Sequence, residues 1–276
     1  MIRSKTVNLD DDVERLLIVS DFHSHLEPLE AFEEVRAKFT DRARVLFNGD
    51  AFYGGPRPVE SAEWIMANAG ELATLGNHDV KMIETEATQA APGEPASPFT
   101  EAGAYTLLSE SQREYFRNLT HRLDVHWHGH RIALMHGHVN VENKPVPWIS
   151  SPSEQASNFA ERDVDLFVLS HSHWPYEVSV EGMRVANTGS LSLTSVGVIQ
   201  DGGALHLQSG EHELADDGGD NRSSFLSVTE TSGKLTVEIV RFDYDRHAAL
   251  DDLERAGGTD LVFRRRWMLD GVMVLS

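Results

Sequence analysis

Leu75-Gly76-Asn77-His78-Asp79 follows the short apolar run Leu72-Ala73-Thr74. An Asn and a His side by side just past a strand end are poor core material. The amide oxygen suits a metal ion and the imidazole suits a proton transfer. Taken alone, the pentapeptide is equally an ordinary polar turn. Its meaning depends on whether the rest of the chain supplies matching ligands.

Upstream, Leu16-Leu17-Ile18-Val19 is wholly apolar, the mark of a strand buried on both faces. It ends in Ser20-Asp21-Phe22-His23-Ser24-His25, and residues 26–39 then carry an amphipathic helical pattern. Arg44-Val45-Leu46-Phe47 reads as a second buried strand ending in Asn48-Gly49-Asp50. A loop with Gly54-Gly55-Pro56, a helix over 59–69 and a third strand over 71–75 lead back to the opening stretch. Strand, helix, strand, helix, strand is the rhythm of a parallel sheet. Polar clusters thus recur at the carboxyl ends of three successive strands, where open α/β sheets place their sites. The steps of 29 residues from Asp21 to Asp50 and 27 from Asp50 to Asn77 each fit one βαβ unit.

Downstream, residues 85–98 read as a surface loop and 109–119 as a helix. Residues 123–135 form a hairpin turning at His128-Gly129-His130, whose second arm ends in His136-Gly137-His138. Residues 139–153 read as a loop over the site, and a helix resumes over 153–161. Leu166-Phe167-Val168-Leu169 is another buried strand, ending in Ser170-His171-Ser172-His173. A hairpin over 176–180 and 183–186 precedes the tight loop Asn187-Thr188-Gly189-Ser190-Leu191-Ser192. Residues 216–221 are acidic, Gly-rich and read as exposed, 225–228 and 235–240 pair as a last hairpin, and 246–256 reads as a helix.

The strand-end residues Asp21, His23, Asp50, Asn77, His136, His171 and His173 make seven oxygen and nitrogen donors, too many for one ion and suited to two. On an extended strand end, residues i and i+2 of Asp-X-His and His-X-His point the same way. Carboxylates mixed with imidazoles suit Mn, Fe, Zn, Co or Ni better than Ca, with Mn foremost. His126, His128 and His130 read as solvated hairpin residues, and His25, His121, His206, His212 and His247 show no partner pattern. Tyr53 and His138 are substrate-contact candidates, a packed loop aromatic being the plainer reading of Tyr53.

Composition bounds the function classes. The chain has 276 residues, no cysteine and a formal net charge of −20, with only five Lys beside 19 Arg. Absence of cysteine excludes thiolate zinc sites, disulfides and Cys nucleophiles. An acidic, Lys-poor surface disfavours duplex nucleic acid and suits small substrates and a salt-rich cytoplasm. No apolar run reaches a membrane span and no secretory signal is evident, so the expected location is cytoplasmic. Without repeats or a dividing linker, 1–276 reads as a single domain: a core over 14–192, completed by the C-terminal hairpin and helix within 193–276.

The set Asp21-X-His23, Gly49-Asp50, Gly76-Asn77-His78-Asp79, His136-Gly137 and His171-X-His173 resembles, in order and spacing, the five signature motifs of calcineurin-like metallophosphoesterases. The 187–192 loop and the C-terminal hairpin and helix look like the small prokaryotic phosphodiesterase-like branch. The resemblance implies an α/β four-layer sandwich of two mixed β-sheets flanked by helices. It also implies two divalent transition-metal ions: one held by Asp21, His23 and His173, the second by Asn77, His136 and His171, with Asp50 bridging. His78 is implied as general acid for the leaving oxygen. The expected activity is hydrolysis of a phosphodiester or pyrophosphate bond of a small, nucleotide-like substrate by metal-activated water, a diadenosine polyphosphate being one example. A phosphomonoesterase, a nuclease and a catalytically silent metal-binding scaffold are the alternatives, and the oligomeric state stays open. In Gly49-Asp50-Ala51-Phe52-Tyr53-Gly54-Gly55, Tyr53 and Gly54 stand where protein Ser/Thr phosphatases carry an Asp that supports the catalytic His and an Arg, which lowers that reading. Ser170 replaces the usual Gly before the last His pair.

Overall fold

A computed structural model describes residues 1–85, 97–148, 150–159, 161, 163–195, 197–200, 204–206, 220–258 and 261–274. The first elements are β1 (Ser4–Asn8), β2 (Arg15–Val19), α1 (Glu27–Arg36), β3 (Ala43–Asn48), α2 (Pro58–Asn68), β4 (Ala73–Thr74) and α3 (Asn77–Glu84). Next come α4 (Glu101–Leu107), α5 (Glu110–Asn118), β5 (Arg122–Trp127), β6 (His130–Met135), α6 (Pro152–Ser157), β7 (Leu166–Leu169), β8 (Tyr176–Val180) and β9 (Met183–Asn187). The remainder are β10 (Gly197–Gln200), β11 (Ala204–His206), β12 (Ser223–Thr231), β13 (Lys234–Phe242), α7 (Arg246–Arg255), α8 (Leu261–Asp270) and β14 (Val272–Val274).

Two mixed sheets carry the fold, one ordered β1-β5-β6-β7-β9-β8 and the other β13-β12-β2-β3-β4; a smaller sheet, β11-β10-β14, stands apart. The wholly apolar strands are explained by what lies on each face. Leu16 and Ile18 of β2 meet Leu123, Ile132, Leu134, Leu166 and Val168 between the sheets. Leu17 and Val19 point the other way, onto Leu29 and Phe32 of α1 and Ala62 and Ile65 of α2. Side chains alternate faces along a strand, so a strand between a sheet and a helix layer must be apolar at every position. Each such side chain contributes roughly 1.5–3 kcal/mol on burial. The outer face of the six-stranded sheet is covered in the same way by Ala156 and Phe159, against Ala133, Phe167 and Val185.

The expected βαβ unit is present, β2 pairing parallel to β3 and β3 to β4. The C-terminal hairpin adds to the same sheet, β12 running antiparallel to β2. Several boundaries differ from the sequence reading. The third strand is two residues long, because Leu75 N–H leaves β3 to donate to Thr120 O at 2.9 Å. The helix expected over 153–161 ends at Ser157. The loop expected over 85–98 and the acidic stretch 216–221 fall mostly outside the described residues, as do His212 and Ile149. Edge strand β1, helices α3, α4 and α8, and the small sheet were not anticipated. Strand β1 alternates exposed and half-buried residues and lacks an apolar run.

One buried residue ties the two sheets together beneath the strand ends. Asn48, the last residue of β3, donates from Nδ2 to Met135 O at 3.1 Å and Ser170 Oγ at 2.8 Å, and its Oδ1 accepts from Thr74 Oγ1 at 2.8 Å. Its partners come from both main sheets, so this one satisfied amide sets their relative position at the site.

Candidate metal centre

All seven expected donors lie at or just past strand ends. Asp21, His23 and His173 each bring a ligand atom within 4.8 Å of the others, and so do Asp50, His136 and His171. The groups adjoin. His173 Nε2 lies 3.1 Å from Asp21 Oδ1 and 3.1 Å from His23 Nε2, and His136 Nε2 lies 3.2 Å from Asp50 Oδ2 and 3.9 Å from Asp21 Oδ1. A third group joins His23, Asp50 and His78.

The backbone that presents these side chains is not extended, as the sequence reading supposed. Asp21, His23, Asp50, His171 and His173 all have positive φ, between 50° and 67°. Non-glycine residues adopt this left-handed region rarely and at a cost of about 1–3 kcal/mol each. The turns are held there by surrounding bonds. Ser190 Oγ and Ser192 Oγ both donate to Asp21 O, at 3.0 and 2.9 Å, and Ser20 Oγ donates to Asp21 Oδ2 at 2.5 Å. Thus the 187–192 loop clamps the Asp21 turn.

Asp79 holds the second turn. Its carboxylate accepts from the N–H groups of Asp50 (2.8 Å), Ala51 (2.9 Å) and Gly76 (2.9 Å). Complete burial, reinforced by the Asp50 charge, raises its pKa to about 6. Gly76 is the N-cap of α3, so Asn77 and His78 open a helix rather than a plain turn. His78 N–H donates to Asp50 Oδ1 at 2.9 Å, placing the positive helix end against that carboxylate. A Cβ on Gly76 would come within 2.1 Å of Asp50 Oδ1, so only glycine allows this approach.

Outer hydrogen bonds fix the tautomers. His23, His136 and His173 donate from Nδ1 to the carbonyls of Tyr53 (3.0 Å), Asn48 (2.8 Å) and Leu193 (2.7 Å). A carbonyl can only accept, so each Nδ1 carries a proton and each Nε2 turns inward, where its lone pair can serve a metal once any proton on it is displaced. The donors also meet a stricter test of fit. Asp21 Oδ1, Asn77 Oδ1 and His136 Nε2 are buried with no hydrogen-bond partner, and buried polar atoms are ordinarily satisfied. Oxygen and imidazole atoms left bare on one small volume match the donor set of a divalent metal.

Charge organises the centre as well. Burial opposes ionisation of Asp21, yet the His173 and His136 imidazoles hold it below the usual carboxylate range. Burial likewise works against a charged His136, but the Asp50 and Asp21 carboxylates lift its pKa to about 10. Desolvation within the centre, then the neighbouring His136 charge, pushes half-buried His171 well below its ordinary value. A metal must displace the His136 proton before Nε2 can ligate. Mn(II) binding near pH 7 is therefore expected to release close to one proton, and affinity should rise as pH climbs toward 10. Titration calorimetry in buffers of different ionisation enthalpy measures this; zero net proton release would show that His136 is not a ligand.

His78 stands apart from His23, His136 and His173. Its side chain is 16% exposed, against 0–7% for His23, His136 and His173. Its Nδ1 bonds Glu101 Oε1 at 2.8 Å, and Tyr53 stacks on its ring at 4.3 Å between centroids with planes 4° apart. Burial raises the Glu101 pKa, but the His78 bond, a backbone N–H and the nearby His78 and Lys81 charges together outweigh it and keep the carboxyl below its ordinary value. Tyr53, 39% exposed, is therefore a cleft aromatic rather than a packed loop residue. His138 lies behind His136 and His171, with ring centroids 5.7 and 6.2 Å away, and does not line the cleft. Half-buried His128 bonds Val13 O at 2.9 Å and His126 is exposed, in keeping with hairpin roles.

A cleft of about 250 Å³ opens over the cluster. Trp148 of the 139–148 loop lines it, as do Arg264 and Trp267 of α8. Trp148 lies in the stretch read as a loop over the site, whereas Glu101, Arg264 and Trp267 were missed in the sequence, where only the run Arg264-Arg265-Arg266-Trp267 offered any signal.

Paired mixed sheets gathering Asp and His donors on their strand ends define a metal-binding phosphoesterase fold. Residues 15–210 match the calcineurin-like phosphoesterase superfamily domain, and the chain belongs to that family. Its fold is similar to that of a metallophosphoesterase from Sphaerobacter thermophilus, with TM-score 0.70 and 20% identity, covering 94% of this chain and 100% of that one. It is also similar to a hypothetical protein from Pyrococcus horikoshii OT3, with TM-score 0.65 and 14% identity, covering 94% and 99%. No curated protein matches by sequence. Among the described residues, no helix is long and apolar enough to cross a membrane.

Proposed function

We propose that the chain is a dinuclear metal-dependent phosphoesterase that hydrolyses phosphodiester or pyrophosphate bonds of a small, nucleotide-sized substrate. The observation that carries the reading is the pair of adjoining donor groups with bare buried atoms at Asp21, Asn77 and His136. In it, Asp21, His23 and His173 hold one divalent ion, Asn77, His136 and His171 hold another, and Asp50 lies between them. Bound divalent ions supply an activated water and offset charge on phosphoryl oxygens. His78, its Nδ1 engaged by Glu101, donates a proton from Nε2 to the leaving oxygen. Asp50 orients His78 through its backbone N–H, and Asp79 orients Asp50. Carboxylate support for the imidazole favours a working enzyme over a silent scaffold, which needs no such pair.

Substrate size follows from the cleft. A volume near 250 Å³ lies just below the roughly 300–1,000 Å³ typical of ligand pockets. Tyr53, Trp148 and Trp267 give it planar apolar walls suited to a base or aryl group. The net charge of −20 works against a long polyanion. A panel of aryl phosphate monoesters, aryl diesters, dinucleoside polyphosphates and single-stranded DNA, with Mn(II)-reconstituted protein, tests the reading. Diesters or pyrophosphates are expected to turn over at least tenfold faster than monoesters. Faster monoester cleavage would make the protein a phosphomonoesterase, faster DNA cleavage a nuclease, and inactivity with every metal a scaffold.

A further inference from the structure

Among the described residues that line the cleft, Arg264 is the one with a permanent positive charge. It comes from α8, in sequence far from every proposed ligand. Its Nη1 donates to Gly54 O at 2.7 Å, across a separation of 210 residues. Gly54 has φ +108°, which side-chain-bearing residues rarely adopt, and a Cβ there would come within 2.9 Å of Arg264 Nη1. The guanidinium therefore lies over the turn that carries Asp50 and Tyr53, in the space a side chain at position 54 would enter.

That placement is anchored. Met268 is buried with Leu193, Tyr244 and Ala249, and Trp267 donates from Nε1 to Ser195 Oγ at 3.0 Å while stacking on His173 at 5.3 Å. Asn221 Nδ2 donates to Leu269 O at 2.6 Å. The Arg264 charge is permanent near neutral pH, so an anion that enters the cleft is attracted to it. Guanidinium is the side chain best matched to paired phosphoryl oxygens, through two parallel N–H bonds.

We infer that Arg264 binds the phosphoryl oxygens of the substrate that face away from the metal ligands, so that α8 forms part of the substrate-binding face. The inference rests on the phosphoesterase reading above and adds to it a recognition residue from outside the five motifs. The ligand class is a phosphate ester or inorganic phosphate bearing at least one negative charge.

Three measurements on the Mn(II)-loaded full chain test it: Mn(II) affinity, affinity for inorganic phosphate by calorimetry, and kcat/KM for bis(p-nitrophenyl) phosphate. Arg264→Ala is expected to leave Mn(II) affinity within about twofold, weaken phosphate at least tenfold, and lower kcat/KM about a hundredfold. Arg264→Lys keeps the charge without the planar fork and should recover part of both losses. Arg265→Ala, at an exposed neighbour on the same helix, should behave as wild type. Unchanged phosphate affinity in Arg264→Ala overturns the inference. So does loss of Mn(II) binding in both Arg264 variants, which would make the residue structural. If the wild type hydrolyses nothing, the phosphoesterase reading fails, while the ratio of phosphate affinities still decides the role of Arg264. If the wild type binds no phosphate either, both fall.

Discussion

Asp50→Asn is expected to cut turnover by about 10³-fold or more, the scale on which losing one transition-state stabiliser acts, and to lower the metal content of the purified protein. The substitution keeps shape and backbone. Asn tolerates the left-handed region better than most residues, so the φ of 62° at this position is no obstacle. The N–H of residue 50 still meets Asp79, and an amide oxygen can still accept from His78 N–H. What disappears is the charge that lies 3.2 Å from His136 Nε2 and 3.9 Å from His23 Nε2. Two proposed ion sites share that charge, so both should weaken. A second readout is independent of activity. Asp50 is the first of the carboxylates that lift His136 toward a pKa of about 10, so in the metal-free variant that pKa should fall. NMR titration of the imidazole reads it. Full metal content together with an unshifted His136 would remove Asp50 from the shared position.

His78→Ala is expected to slow turnover by about 10²–10⁴-fold, the usual range for loss of a general acid, while Mn(II) still binds. The two proposed ion sites do not use His78, and its ring is the more exposed and carboxylate-supported one. The loss should depend on the leaving group. Substrates whose leaving oxygen departs readily as an anion need little protonation, so p-nitrophenyl esters should suffer least and alkyl or nucleoside esters most. Glu101→Gln should give a smaller loss in the same order of substrates and add little once His78 is gone, because Glu101 acts only through it. A uniform loss across leaving groups would assign His78 to binding rather than proton transfer. Loss of Mn(II) from His78→Ala would move it among the ligands, a role that its grouping with His23 and Asp50 keeps physically available.

The parts of this molecule legible in its sequence are those where local pattern and global position coincide. Leu16-Leu17-Ile18-Val19 announces a doubly covered strand because both of its faces are apolar, and whatever interrupts such a run must sit at the strand end. The proposed ligands were found that way. Edge strand β1 was not, since an edge with one wet face needs no apolar run. The left-handed turns at Asp21, His23, Asp50, His171 and His173 were not legible either. Those at Asp21 and Asp50 are held by Ser190, Ser192 and Asp79, which no pattern at the turns themselves records. Asp79 could be read as a stiffener of its own loop, but not as the acceptor for Asp50 and Ala51. Glu101 and Arg264 each reach the site through a helix whose internal periodicity says nothing of what lies at its end. Substrate recognition is written in such tertiary reach, which is why the chemistry could be read more easily than its target.

The reach of α8 also orders events in time. The sheet that bears Asp21, Asp50 and Asn77 gains its last strand when β13 ends at Phe242. Arg264 follows 22 residues later. At a synthesis rate of about 5–20 residues per second, that interval lasts between about one and four seconds on the ribosome. During it every proposed metal donor has been made while the guanidinium that lies over Gly54 has not. The proposed ion donors are therefore made before the residue inferred to take phosphate. A chain stalled in that window would carry the proposed ion donors without the α8 wall of the cleft.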